Sequence, residues 1–197
     1  MLRRILALAL LALPVTALAQ NAAPAGSAPT VPTTKGGSQF TGTASFASVG
    51  GTAFDNDEVG RLNTTIIDLS GGYFVASGVS LGGIFLGRSD NQDGLTISTF
   101  GIGPEVTLFL PIGNKDVYPF ISAAGLLVNV SAAQDGQSDS INGTAFQVAG
   151  GLTYMLTPSV GITVEGYYLG EQVRPDEGDR IETNTLGVRG GLTVFLR

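Results

Sequence analysis

The sequence has no cysteine, no histidine and no tryptophan, and only 13% of its 197 residues are charged. Each absence excludes a class of chemistry. Without cysteine there is no disulfide scaffold, no thiolate metal site and no lipid attachment at a processed N-terminus. Without histidine there is no imidazole base, no Ser–His–Asp triad and no haem on a proximal histidine. Positive charge is also scarce: ten Lys and Arg stand against sixteen Asp and Glu. Arg3 and Arg4 belong to the N-terminal leader, so no basic stripe remains for nucleic acid, which needs a positive footprint. After the leader, no run approaches the roughly 18 consecutive apolar residues of a membrane helix.

What the chain does have is 29 glycines and 43% hydrophobic residues. That is too hydrophobic for an acidic disordered tail and too rich in glycine for a helical bundle.

Residues 1–19 read as a secretory signal peptide. Arg3 and Arg4 supply the positive end, Ile5 to Leu13 is a continuous Ile/Leu/Ala run, and Pro14 ends it. Ala17-Leu18-Ala19 then gives the small-x-small pattern for cleavage before Gln20. Nine apolar residues before a proline are too few to span a hydrocarbon core, which takes about 20. Residues 20–37 are mostly Ala, Pro, Thr, Ser and Gly with one charge, Lys35, and three helix-preventing prolines at 24, 29 and 32. Such a composition predicts a flexible linker.

Residues 38–197 divide into eight segments of period two, the spacing of a strand with two different faces. Phe40, Gly42, Ala44 and Phe46 alternate with Thr and Ser. Ile67, Leu69, Gly71, Tyr73 and Val75 make a second apolar row, and Val79, Leu81, Gly83 and Phe85 a third. The fourth runs from Phe100 to Leu110, and the fifth, Tyr118 to Val130, is bland on both faces. Thr144 to Tyr154, Val160 to Tyr168 and Leu186 to Leu196 complete the series.

The connections alternate as well. Ala76-Ser77-Gly78, Pro111 to Asp116 and Thr157-Pro158 are short, whereas Val49 to Gly60, Ser131 to Asn142 and Glu171 to Arg180 are read as long loops and Arg88 to Gly94 as a moderate one. Asp55, Asp57, Glu58, Asp90, Asp93, Asp135, Asp139, Glu171, Asp176, Glu177, Asp179 and Glu182 all fall at the long-loop end. Short turns at one rim and long polar loops at the other are the asymmetry of an outer-membrane barrel.

Orientation follows from the polar rows. In a soluble, lipocalin-like barrel the polar rows would face water and carry many Lys and Glu. Here they are mostly Thr, Ser and Gly, with Asp68, Glu105, Glu165 and Arg189 as the charges near mid-strand. Apolar rows facing lipid around a small polar interior fit that composition better. Phe46, Phe85, Phe100, Phe146 and Tyr168 would form one aromatic belt; Tyr73, Tyr118 or Phe120, and Tyr154 would form the other.

An ordered series of short motifs carries a resemblance. It comprises Gly71-Gly72-Tyr73-Phe74-Val75, Val79-Ser80-Leu81-Gly82-Gly83, Gly101-Ile102-Gly103-Pro104 and Val117-Tyr118-Pro119-Phe120. Val164-Glu165-Gly166-Tyr167-Tyr168 and Gly187-Val188-Arg189-Gly190-Gly191-Leu192 close it. Over residues 38–197 the chain resembles the small OmpX/OmpA-like outer-membrane β-barrels. The resemblance implies an all-β, eight-stranded, antiparallel up-and-down transmembrane barrel with short periplasmic turns and long extracellular loops. It also implies delivery to the outer membrane by the assembly machinery, which reads a terminal aromatic in this family. Here the chain ends Phe195-Leu196-Arg197 and departs from that pattern.

The expected role is non-enzymatic, structural or surface-interacting, with a narrow pore for ions or small solutes as the alternative. No cofactor is expected. Asp90-Asn91-Gln92-Asp93-Gly94 and Asp55-Asn56-Asp57-Glu58 lack the spacing of a calcium loop, so no metal site is expected either. The expected partners are the lipid bilayer and lipopolysaccharide, with the chain itself a monomer. Asp68, Glu105, Glu165 and Arg189 share the inward parity and are expected to form a lumen charge network, Arg189 pairing with Glu165 or Glu105.

Overall fold

The structure, a computed structural model, describes residues 33, 35–49, 62–92, 95–110, 116–134, 137–174 and 181–196. Among these, eight strands follow one another in order: β1 (Ser38–Val49), β2 (Leu62–Ala76), β3 (Val79–Gln92), β4 (Leu95–Phe109), β5 (Val117–Gln134), β6 (Gln137–Met155), β7 (Val160–Val173) and β8 (Ile181–Leu196). Each pairs antiparallel with its neighbours, and β1 pairs with β8 from Ser38↔Leu196 to Ala44↔Gly190, closing the barrel. Closure satisfies the backbone within the wall, which is what allows strands to sit in lipid.

Period two persists around the wall and decides which residues face out. Phe40, Leu69, Phe85, Ile102, Leu127, Phe146, Val148, Val164, Val188 and Leu192 are exposed, while their chain neighbours are buried or half-buried. The apolar rows therefore point outward, opposite to a lipocalin. Along β6 the outward apolar residues run from Phe146 to Tyr154. At about 3.4 Å per residue and a 40° tilt that is roughly 21 Å, close to the ~25 Å apolar band of an outer-membrane barrel.

The upper aromatic belt is present on the outward face, with Phe85–Phe100 and Phe146–Tyr168 centroids 6.3 and 5.5 Å apart. The lower belt needs correcting. Tyr73 and Tyr154 face out, but Phe120 is buried inside and Tyr118 packs with it. Even-numbered residues of β5 point inward, a parity that a segment apolar on both faces does not reveal.

Two of the expected loops, one long and one moderate, are mostly strand. β5 and β6 stay paired to Gln134↔Gln137, so Ser131 to Asn142 is a projecting hairpin. Likewise β3 and β4 pair to Gln92↔Leu95, which takes Arg88 to Gln92 out of the loop. Ser, Thr and Asn favour turns locally, but here each strand has paired neighbours and the ladder overrides that preference. β5 has 18 residues. At the same rise and tilt it reaches roughly 45 Å, well beyond the apolar band.

The opposite rim is tight. Gly78 takes a φ of 77° in the β2–β3 turn, a conformation that glycine adopts without a Cβ penalty. Its N–H donates to the Thr33 carbonyl at 2.7 Å, so the end of the linker lies against that turn. Residues 1–32, the remainder of the leader and linker, lie outside the described residues, as do the acidic positions 55, 57, 58, 93, 135, 176, 177 and 179.

Candidate functional site

Eight strands enclose an interior just wide enough for side chains to fill. Three layers fill this one. At the short-turn end, Phe74, Phe109, Phe120, Phe195 and Met155 form an apolar plug. Phe109 is the hub: its ring lies 5.8 Å from Phe74, 5.7 Å from Phe120 and 5.7 Å from Phe195. Towards the other end, Ile66, Ile84, Leu86, Leu126, Val128 and Leu169 pack into a second apolar cluster.

The charged layer lies between them. Arg189 of β8 is 4% exposed. Its Nε donates to Glu165 Oε1 at 2.5 Å, and its Nη1 is ion-paired with Asp68 Oδ2. Register explains the first contact, because Glu165 and Arg189 are direct cross-strand partners. Asp68 arrives from β2, across β1. Gln147 Nε2 donates to the same Asp68 oxygen at 3.0 Å from the far wall, and Thr43 Oγ1 donates to Glu165 Oε1 at 3.2 Å. The guanidinium also sits over the Tyr167 ring, 4.6 Å from its centroid. That ring lies against Gly187, where a Cβ would fall 2.5 Å from the Tyr167 hydroxyl. Only glycine leaves room for it.

Glu105 stands apart from the ion pairs. Its side chain lines the same small cavity as Ser70 and Ser122, and the structure gives Arg189 to Asp68 and Glu165 instead. The expectation of a Glu105 alternative for Arg189 is thus replaced by Asp68. Glu105 lines a cavity of about 20 Å³ between the charged layer and the plug, together with Thr107, Ser122, Thr153 and Thr193. Such a space holds about one water. Across the lumen from Glu105, Thr41, Thr193, Thr163 and Thr153 form a hydroxyl chain over β1, β8, β7 and β6, with steps of 3.0, 2.6 and 2.9 Å.

A second ionic group spans the upper lumen, and the sequence hides it because Arg88 reads as part of a loop. Arg88 Nε lies 2.7 Å from Asp90 Oδ2, and its Nη1 donates to Glu171 Oε2 and Thr185 Oγ1, both at 3.0 Å. β3 and β7 are on opposite sides of the closed barrel, so this contact straps the mouth. Among the described residues no three carboxylates converge as a metal cage.

A closed eight-stranded wall, apolar outside and filled inside, defines an integral membrane β-barrel. The chain belongs to the outer membrane protein beta-barrel domain family, whose model matches residues 5–193. Among solved structures it is similar to Neisserial surface protein A, at 15% identity and a TM-score of 0.56, over 82% of this chain and 99% of that one. It is also similar to Ail of Yersinia pestis (14% identity, TM-score 0.47, 81% and 99% covered). A third is the N-terminal barrel of Pseudomonas aeruginosa OprF (15%, 0.44, 83% and 97%). No curated protein shows significant sequence similarity to the chain. At 15% identity the likeness to Neisserial surface protein A speaks for the fold alone.

Proposed function

We propose that this protein is a non-enzymatic, non-conducting outer-membrane barrel whose role is structural or surface-interacting. The observation that carries the reading is the three-layered filling of the lumen. A permeant ion would have to displace the Phe109-centred plug, the Arg189 layer and the apolar cluster in turn. Asp68, Glu165 and Arg189 serve in this reading as a cross-barrel clamp, and Glu105 as the polar group of the small cavity below it. Residues 1–19 are removed as a signal peptide, and the short-turn end faces the periplasm. The assembly machinery inserts the barrel as a monomer into a bilayer whose outer leaflet is lipopolysaccharide.

Planar-bilayer recording of the purified protein tests this reading. Wild type is expected to give no sustained single-channel steps, while Arg189→Ala combined with Phe109→Ala opens measurable cation current. Steady ohmic channels from wild type would overturn the reading in favour of a narrow pore.

A further inference from the structure

The charged layer of the lumen does not balance. Asp68, Glu105 and Glu165 stand against one base, Arg189, and that base is shared by Asp68 and Glu165. The other lumen arginine, Arg88, is held by Asp90 and Glu171 at the mouth. Among the described residues Glu105 has no basic partner. The Phe109-centred plug closes the layer on one side and the Ile66–Leu86 cluster on the other. A carboxylate confined there needs a compensating charge, because a protein interior solvates an ion poorly.

The cavity that Glu105 lines is bordered by oxygens with little left to donate. Gln39 lines it and is 3% exposed, and its Oε1 has no hydrogen-bond partner. The second oxygen of Asp68, Oδ1, is buried and unpartnered as well. Thr41, Thr193, Thr163 and Thr153 use three of their four hydroxyl hydrogens on one another. A hydroxyl has one hydrogen and two lone pairs, so what this chain offers the cavity is chiefly lone pairs. A water molecule satisfies such acceptors but brings no charge. Oxygen ligands that include a carboxylate suit a hard cation. Calcium takes about six to eight oxygens and magnesium keeps several waters, whereas a cavity of about 20 Å³ has room for one water-sized particle. That selects a monovalent ion stripped of its hydration shell.

We propose that the cavity bordered by Glu105, Gln39 and the threonine hydroxyls binds one dehydrated alkali-metal cation of sodium size, which neutralises Glu105 and stabilises the filled lumen. The proposal rests on the reading of a sealed, non-conducting interior and names the ion that completes it.

The test is equilibrium urea unfolding and refolding of the full chain in a zwitterionic detergent, in mildly alkaline buffer. Refolding lets the ion enter as the barrel closes. Sodium chloride is compared with N-methylglucamine chloride at equal ionic strength, so that screening is the same and only the cation differs. Sodium is expected to raise the unfolding midpoint. Once the site is saturated, each tenfold increase in sodium should raise the folded-to-unfolded ratio about tenfold, as linkage to one bound ion requires. Glu105→Gln keeps the volume, removes the charge and should abolish the sodium dependence. Gln39→Leu should weaken it, and Glu171→Gln, at the mouth, should leave it intact. Equal midpoints in the two salts would overturn the proposal in favour of a water or a protonated Glu105. A sodium effect unchanged in Glu105→Gln would overturn it too or, if that variant does not fold, one unchanged in Gln39→Leu. Steady channels from wild type in the planar bilayer would instead overturn the sealed-lumen reading beneath it.

Discussion

Val188 and Arg189 are chain neighbours with opposite fates. Val188 is 69% exposed on the outer wall, and Arg189 is 4% exposed at the centre of the charged layer. In a water-soluble domain the valine would be the buried one. The inversion holds from Leu186 to Phe195, where Leu186 and Leu192 face out while Thr193 and Phe195 face in. Outside, the chain needs only apolar character, because lipid makes no directional demands. Inside, every group must be matched by shape or charge, because the lumen is as narrow as the side chains that fill it. The outer face is thus a composition, whereas the inner face is a set of specific contacts.

Substitutions that remove a central contact of the inner face should therefore cost more than those on the outer face, and one that removes a redundant inner contact should cost least. The largest loss is expected for Arg189→Ala, which strands Asp68 and Glu165 in a dry interior. Breaking a buried pair from one side costs about 3–5 kcal/mol. Urea unfolding in detergent micelles measures it, and adding Asp68→Asn with Glu165→Gln should recover part of the loss. Phe109→Ala follows at about 3–4 kcal/mol for a large-to-small change in a packed cluster, read in the same assay. On the outer face, Val188→Arg places a charge in the lipid band and should cost about 2–4 kcal/mol near the midplane. Its readout is the fraction of protein reaching the folded, heat-modifiable form. Thr185→Val is the mildest of the four: it removes one acceptor from Arg88 and leaves Glu171 and Asp90, for about 1 kcal/mol.

The outer face was legible in the sequence for the same reason that it is tolerant. Rows such as Leu186, Val188, Gly190, Leu192, Val194 are apolar at every second place, and period two reads them directly. Fold class and strand order followed from these rows and from the alternation of turns. The inner face was legible only where charge marked it. Asp68, Glu165 and Arg189 stood out among Thr and Gly, and counting along β7 and β8 was enough to make Glu165 and Arg189 neighbours. That Asp68, not Glu105, is the second partner depends on barrel shear, which no single strand encodes. The apolar inner clusters were hidden because Ile66 beside Ile67 and Leu126 beside Leu127 give no alternation. Strand ends were misplaced where Asn, Ser and Gln suggested turns, and that error concealed the Arg88 strap.

The absence of cysteine makes the inversion directly measurable, because a single introduced cysteine is the only thiol in the chain. Cysteines placed one at a time from Leu186 to Phe195, each carrying a nitroxide, can be scored in bilayers for collision with lipid-dissolved oxygen and with a water-soluble nickel chelate. Oxygen contact is expected at 186, 188, 190, 192 and 194, with low contact for both reagents at 187, 189, 191, 193 and 195. Oxygen contact on the odd positions, or nickel contact along them, would contradict a lipid-facing wall around a filled lumen.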